Sequence, residues 1–153
     1  MGERAAAILI QKDKFLFSNE EYELPLYGNQ FIPLGVPCSI SEKLRVSAIL
    51  DKECNGGSIS HINLDAPLEN EEVAWELLNK VADSGVIYFA FNLRINSCKN
   101  NHGFYGDTCP VCGEGVETTW QRIVGFLTPT RTYSKERNQE FNLRTWFSKE
   151  ELF

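Results

Sequence analysis

Apolar and polar positions alternate along this chain with more than one period. ERAAAILIQKDK, residues 3–14, predicts a helix rich in Ala, Leu and Ile. It begins almost at Met1 with no capping residue before it, the expectation for a domain cut from something longer. YELPLYGNQFIPLGVP follows, where Pro25, Gly28, Pro33, Gly35 and Pro37 predict extended chain and turns. SISEKLRVSAILDKE predicts a second helix, with Ser39 and Glu42 spaced for a capping box and Leu44, Ala48 and Ile49 on its apolar side. CNGG is expected to end it, with Gly56 or Gly57 in the left-handed conformation. SISHIN alternates like a short strand.

ENEEVAWELLNKVADSG carries the clearest helical stripe, Val73, Leu77, Leu78 and Val81, with acids in its first turn and Gly85 at its end. VIYFAFN, apolar on both faces, predicts a buried strand. The order helix, strand, helix, strand implies an α/β layer, followed by a loop-rich tail.

Composition narrows the class. With 153 residues the chain suits one domain with a modest core. A net charge of −6 argues against a general nucleic-acid binder. The last third is locally basic through Arg122, Arg131, Lys135, Arg137 and Arg144, which suits an anionic substrate, an acidic surface or simply solvent. No stretch is long and apolar enough to span a membrane, and AAAILI is too short for a signal-peptide core, so a cytoplasmic location is expected. Five cysteines, three of them clustered, fit metal binding in a reducing compartment better than a disulfide framework.

The cluster supplies the candidate chemistry. Cys109 and Cys112 form a C-x-x-C knuckle whose small loop turns both thiolates toward one ion, with Gly113 relieving the turn. Cys98 and His102 complete a Cys3His set, which fills a tetrahedral zinc site and leaves no position for water or substrate. The competing reading is a redox C-x-x-C, which usually opens a helix after a strand; Thr108 and Gly113 instead place this one in a turn-rich loop. A dozen residues later Gly125 interrupts an apolar run, where a bulge or a close backbone contact is the ordinary explanation.

RIVGFL behind a cysteine knuckle, followed by YSKERNQEFNLRTWF, resembles the C-terminal glycyl-radical region of anaerobic (class III) ribonucleoside-triphosphate reductases. YGNQFIPL, NGGSISHIN and GVIYFAFN extend the likeness over nearly the whole chain. The resemblance implies a C-terminal fragment of a ten-stranded α/β barrel, then a small zinc-ribbon-like loop and a glycyl radical loop. It implies that residues 1–95 end the barrel, 96–116 hold zinc, and 117–153 form the radical loop and tail.

By the same resemblance Gly125 stores the radical. Without a side chain its α-carbon can flatten and share the electron with both flanking amides. An activating enzyme using S-adenosylmethionine and an iron–sulfur cluster would remove the hydrogen. The stored radical would serve conversion of a ribonucleoside triphosphate to its deoxy form, with formate or a thiol system as reductant. Asn29, Asn55, Gly56 and Gly57 match family stretches near the substrate pocket, although for CNGG a helix cap and turn is the simpler account.

The chain departs from the family in two respects. Many members hold zinc with two C-x-x-C pairs, and all are several times longer. The thiyl-forming cysteine lies upstream of the matched portion, and neither Cys38 nor Cys54 sits in a matching motif. The implied partners are the remaining N-terminal part of the reductase, in a homodimer when complete, the activating enzyme and the nucleotide. Two rivals stand beside this reading: a spare-part glycyl radical protein that repairs an oxygen-cleaved enzyme, and a non-catalytic zinc-binding interaction module. His61 reads as a satisfied core or surface histidine, and Trp75, Trp120 and Trp146 as packing.

Overall fold

A computed structural model describes residues 3–17, 24–25, 27–122 and 126–153. The first helix, α1, runs Glu3–Phe17, and α2 runs Ile40–Asp51. Between them the described residues form only bends and turns, as the prolines and glycines require. Ser39 caps α2: its hydroxyl accepts from the Glu42 N–H at 3.2 Å, and the Glu42 carboxylate accepts from the Ser39 N–H at 3.2 Å.

The far end of α2 differs from expectation. The helix stops at Asp51, with Lys52 as a right-handed cap, and Gly57 (φ 81°) lies beyond it in the loop. Three-residue hydrogen bonds, Glu53 N–H to Leu50 O and Cys54 N–H to Asp51 O, tighten the last turn and make a glycine cap unnecessary. Ile49 is also turned outward, 52 % exposed, whereas Lys43 and Ser47 are buried. The Ser47 hydroxyl meets that of Ser60 at 3.2 Å, so the inner face of α2 is partly polar.

Strand β1 (Ser60–Asn63) pairs in parallel with β2 (Phe89–Asn92), joined through α3 (Glu71–Asp83). Asn70 caps α3 through the Val73 N–H, and Gly85 (φ 86°) takes the left-handed position after its end. Leu77 and Val81 are buried in one cluster with Leu44, Ala48, Ile62 and Val86. Trp75 is 58 % exposed, not packed; two positions before Leu77 it lies on the opposite side of the helix.

Two strand expectations need correction. β1 is buried on both faces, so SISHIN does not alternate in and out. The VIYFAFN strand contains only Phe89–Asn92 and lies at the edge of a two-stranded sheet, with Ile87 75 % exposed. An apolar run records what a strand can bury, while the neighbours that bury it are set by the tertiary fold.

A second, antiparallel sheet has the order β4-β3-β5-β6, built from β3 (Ile95–Ser97), β4 (Gly103–Phe104), β5 (Thr118–Arg122) and β6 (Leu127–Pro129). After a 3-10 turn at Thr130–Thr132, α4 (Lys135–Leu143) and the short α5 (Lys149–Leu152) return the chain to the first layer. There the Phe147 N–H donates to Asn63 O at 2.9 Å, and its carbonyl accepts from Asp65 N–H at 3.1 Å, so residue 147 lies alongside the end of β1. Leu143 and Leu24 close over Gly35, where an added Cβ would lie 3.1 Å from Leu143 Cβ.

Candidate metal centre

Two tight turns bring the sulfur and nitrogen atoms together. β3 and β4 pair at Ser97↔Gly103, and the connection carries Cys98 and His102. The Asn101 N–H donates to Cys98 O at 2.9 Å and Asn101 itself has φ 61°, a conformation Asn tolerates. The second turn is closed by the Gly113 N–H on Cys109 O at 2.9 Å and the Cys109 N–H on Glu114 O at 2.8 Å. Gly113 has φ 73°, a left-handed conformation that suits the expected relief of the turn there.

One ligand atom from each of Cys98, His102, Cys109 and Cys112 lies within 4.8 Å of the others. The His102 Nδ1 is 3.6 Å from both Cys98 Sγ and Cys109 Sγ, and Cys98 Sγ is 3.7 Å from Cys112 Sγ. In a tetrahedral zinc site the usual bond lengths put sulfur–sulfur edges at about 3.8 Å and sulfur–nitrogen edges at about 3.6 Å. The donor set and its spacing therefore fit a tetrahedral metal such as zinc.

Local electrostatics differ between the two thiols of the knuckle. The Glu114 backbone N–H and then the Asn100 side chain hold the Cys112 pKa down to about 6, so this sulfur is poised as a thiolate ligand. Burial pushes Cys109 up, and a metal must displace its proton. All five cysteines are free of disulfides.

The same sheet continues toward Gly125. β5 lies between β3 and β6, and Arg122 pairs with Leu127, so residues 123–126 join the two strands. Gly125 itself lies outside the described residues. The base of this connection is held from the tail. Tyr133 donates its hydroxyl proton to Gln121 O at 3.3 Å, and Arg144 Nη1 donates to Arg122 O at 3.4 Å. Arg144 is buried and bidentate on Glu140, at 2.9 and 3.0 Å, while Arg137 Nη1 reaches the same carboxylate at 3.0 Å. In the sequence Arg137 and Arg144 belong to a basic tail; the signal for their carboxylate partner is the i,i+4 spacing of Glu140 and Arg144.

Other expected residues are distributed differently. Asn29, Asn55, Gly56 and Gly57 are exposed. Gln30, which the sequence did not single out, ties that loop to β1: its Nε2 donates to Ile59 O at 2.9 Å and its Oε1 accepts from His61 N–H at 2.8 Å. His61 is buried; its Nδ1 faces the Asn92 amide at 2.8 Å, and its Nε2 has no partner among the described residues. Trp120 donates to Ser97 Oγ at 2.9 Å, and Trp146 lies 4.0 Å beneath the Arg94 guanidinium. Among the described residues no helix is long and apolar enough to cross a membrane.

The family model described as anaerobic ribonucleoside-triphosphate reductase matches residues 2–147. A solved anaerobic ribonucleotide reductase is 40 % identical over 96 % of this chain and 24 % of its own, with a TM-score of 0.84. The Thermotoga maritima anaerobic ribonucleotide reductase with glycerol in its active site is 42 % identical over 89 % of this chain and 22 % of its own, with a TM-score of 0.74. The same enzyme in complex with dATP and CTP is 38 % identical over 94 % and 23 %, with a TM-score of 0.72. The chain thus spans about a quarter of the length of these structures. No curated protein matches it significantly.

Proposed function

This chain belongs to the anaerobic ribonucleoside-triphosphate reductase family, and from that premise we propose that it is the C-terminal glycyl-radical and zinc-binding portion of such an enzyme. Gly125 stores the radical, and Cys98, His102, Cys109 and Cys112 hold a structural zinc. The observation that supports this best is the shared sheet: the four-ligand cluster sits in the β3–β4 turn and the β4–β5 loop, and β3 pairs directly with β5, which leads into the segment containing Gly125.

In this reading the zinc supplies cohesion and takes no part in the redox chemistry, because the four protein ligands close its coordination. The Tyr133 and Arg144 hydrogen bonds hold the carbonyls of Gln121 and Arg122 at the end of the strand that leads to Gly125. An activating enzyme abstracts one hydrogen atom from the Gly125 α-carbon, and the electron left there is shared with the neighbouring amides. Catalysis on a ribonucleoside triphosphate requires the upstream part with its thiyl-forming cysteine. The exposed apolar residues Ile8, Phe15 and Leu16 on α1 and Ile87 before β2 are surfaces that part would cover.

Electron paramagnetic resonance after anaerobic activation tests the proposal. A doublet that disappears in Gly125→Ala, with chain cleavage at position 125 on exposure to air, is the expected result. No signal with an activator proven on another substrate would favour the interaction module instead. Restoration of an oxygen-clipped reductase by this chain would favour the spare-part reading.

A further inference from the structure

The tail beyond β6 is built into the first layer as a further strand. Ser60 and Leu64 give their N–H groups to Tyr88 O and Asn92 O on the β2 side, so Asn63 O and the Asp65 N–H face the other edge of β1. Phe147 occupies that edge. Its N–H donates to Asn63 O at 2.9 Å and its carbonyl accepts from the Asp65 N–H at 3.1 Å, which makes a parallel bridge with Leu64. Asn63 Nδ2 also donates to Thr145 O at 3.0 Å. On its far side the same stretch meets the 33–36 turn: the Thr145 N–H donates to Leu34 O at 2.7 Å, and the Thr145 hydroxyl to Val36 O at 3.4 Å.

Side chains anchor what the backbone aligns. Phe147 and Leu152 are 3 % and 2 % exposed and belong to one cluster with Leu44, Ile62, Leu77 and Val81. Lys80 on α3 donates to Leu152 O at 2.6 Å. An extended segment with main-chain bonds on both sides and buried anchors at fixed positions has the geometry of strand addition, where the bonds give affinity and the anchors give register. All these partners lie upstream of the cysteine loop, and all the tail atoms lie downstream of Gly125. The covalent link through 125 therefore adds proximity to this groove and none of its contacts.

We propose that the free edge of β1 and the 33–36 turn form a strand-acceptor groove for residues 145–153 of this chain, and that the groove keeps the 126–153 piece bound when the chain is severed at 125. A severed molecule then retains its old tail. A replacement segment with a similar tail can enter only as fast as the old one leaves. The inference does not rest on radical storage, because the cut can be made by a protease without activation, so either can fail alone.

The test uses the whole chain with a site-specific protease sequence inserted after Gly125, and the uncut protein as the reference for folding by circular dichroism. After cutting, the two pieces should co-elute in gel filtration at about 1 μM and part only in denaturant. Isotope-labelled 126–153 peptide in excess should enter the cut protein slowly, over hours, as read by mass spectrometry. Phe147→Ala should weaken retention about a hundredfold or more. Leu152→Ala should weaken it about thirtyfold or more, and it decides the matter where uncut Phe147→Ala is unfolded. Pieces that separate in native buffer, labelled peptide that equilibrates within the mixing time, or retention unchanged in Leu152→Ala would each overturn the proposal.

Discussion

Replacing Cys109 and Cys112 together by serine should unfold the metal-bearing lobe and leave the helical layer standing. The lobe's buried cluster consists of Cys98, Phe104 and Cys109, whereas the helical layer buries a cluster that includes Ile40, Leu44, Ile62, Leu64, Leu77, Val81 and Phe147. Fully burying one phenylalanine supplies at most about 3 kcal/mol. Ordering the backbone of the turns from 98 to 115 costs roughly 1 kcal/mol or more per residue, and β3–β4 contributes only the pairs Asn96↔Phe104 and Ser97↔Gly103. A structural zinc supplies on the order of 10 kcal/mol. That is several times the lobe's apolar term, so the metal decides whether these turns are ordered. Hydrogen–deuterium exchange read by mass spectrometry separates the regions. The double variant should lose bound zinc and exchange freely across residues 98–115, while β1 and α3 keep their protection. Protection across 98–115 in metal-free protein would refute the reasoning, because the turns would then be held by contacts other than the metal.

Three further outcomes follow from the buried groups. Arg144→Met leaves the Glu140 carboxylate to Arg137 alone and frees the Arg122 carbonyl, and should cost about 2–3 kcal/mol in denaturant unfolding; a cost near zero would mean the pair is solvated. His61 has its pKa lowered from 6.5, chiefly by burial, with Asn92 opposing the shift and Arg144, Lys43 and Arg122 reinforcing it. The unfolded chain then binds a proton below about pH 6.5 that the folded chain refuses, so stability should fall as pH drops through that value and the drop should shrink in His61→Gln; an unchanged slope in the variant would assign it to other groups. Gly35→Ala sets a Cβ 3.1 Å from Leu143 Cβ and 3.2 Å from Leu24 Cδ2 and should destabilise by about 1–3 kcal/mol, measurable as a lowered unfolding midpoint.

Short-range chemistry was legible in the sequence. The capping box of Ser39 and Glu42, the Leu77–Val81 stripe, and Gly85 and Gly113 as the glycines that end α3 and relieve the cysteine turn all depend on residues a few positions apart. The four metal-binding candidates could be named for the same reason, since each pair occupies one turn. What the tertiary structure alone decided concerns partners far apart in the chain. Ile49 turned outward and Lys43 inward because β1 and residues 33–38 took the inner side of α2. Phe147 came to lie beside β1, more than 80 positions away, by donating its N–H to Asn63 O and accepting from the Asp65 N–H. The His61–Asn92 contact was likewise invisible, because a histidine's satisfaction depends on which amide folds against it. Local periodicity and caps act within one turn of chain, whereas burial is set by whatever surface the rest of the chain brings up to it.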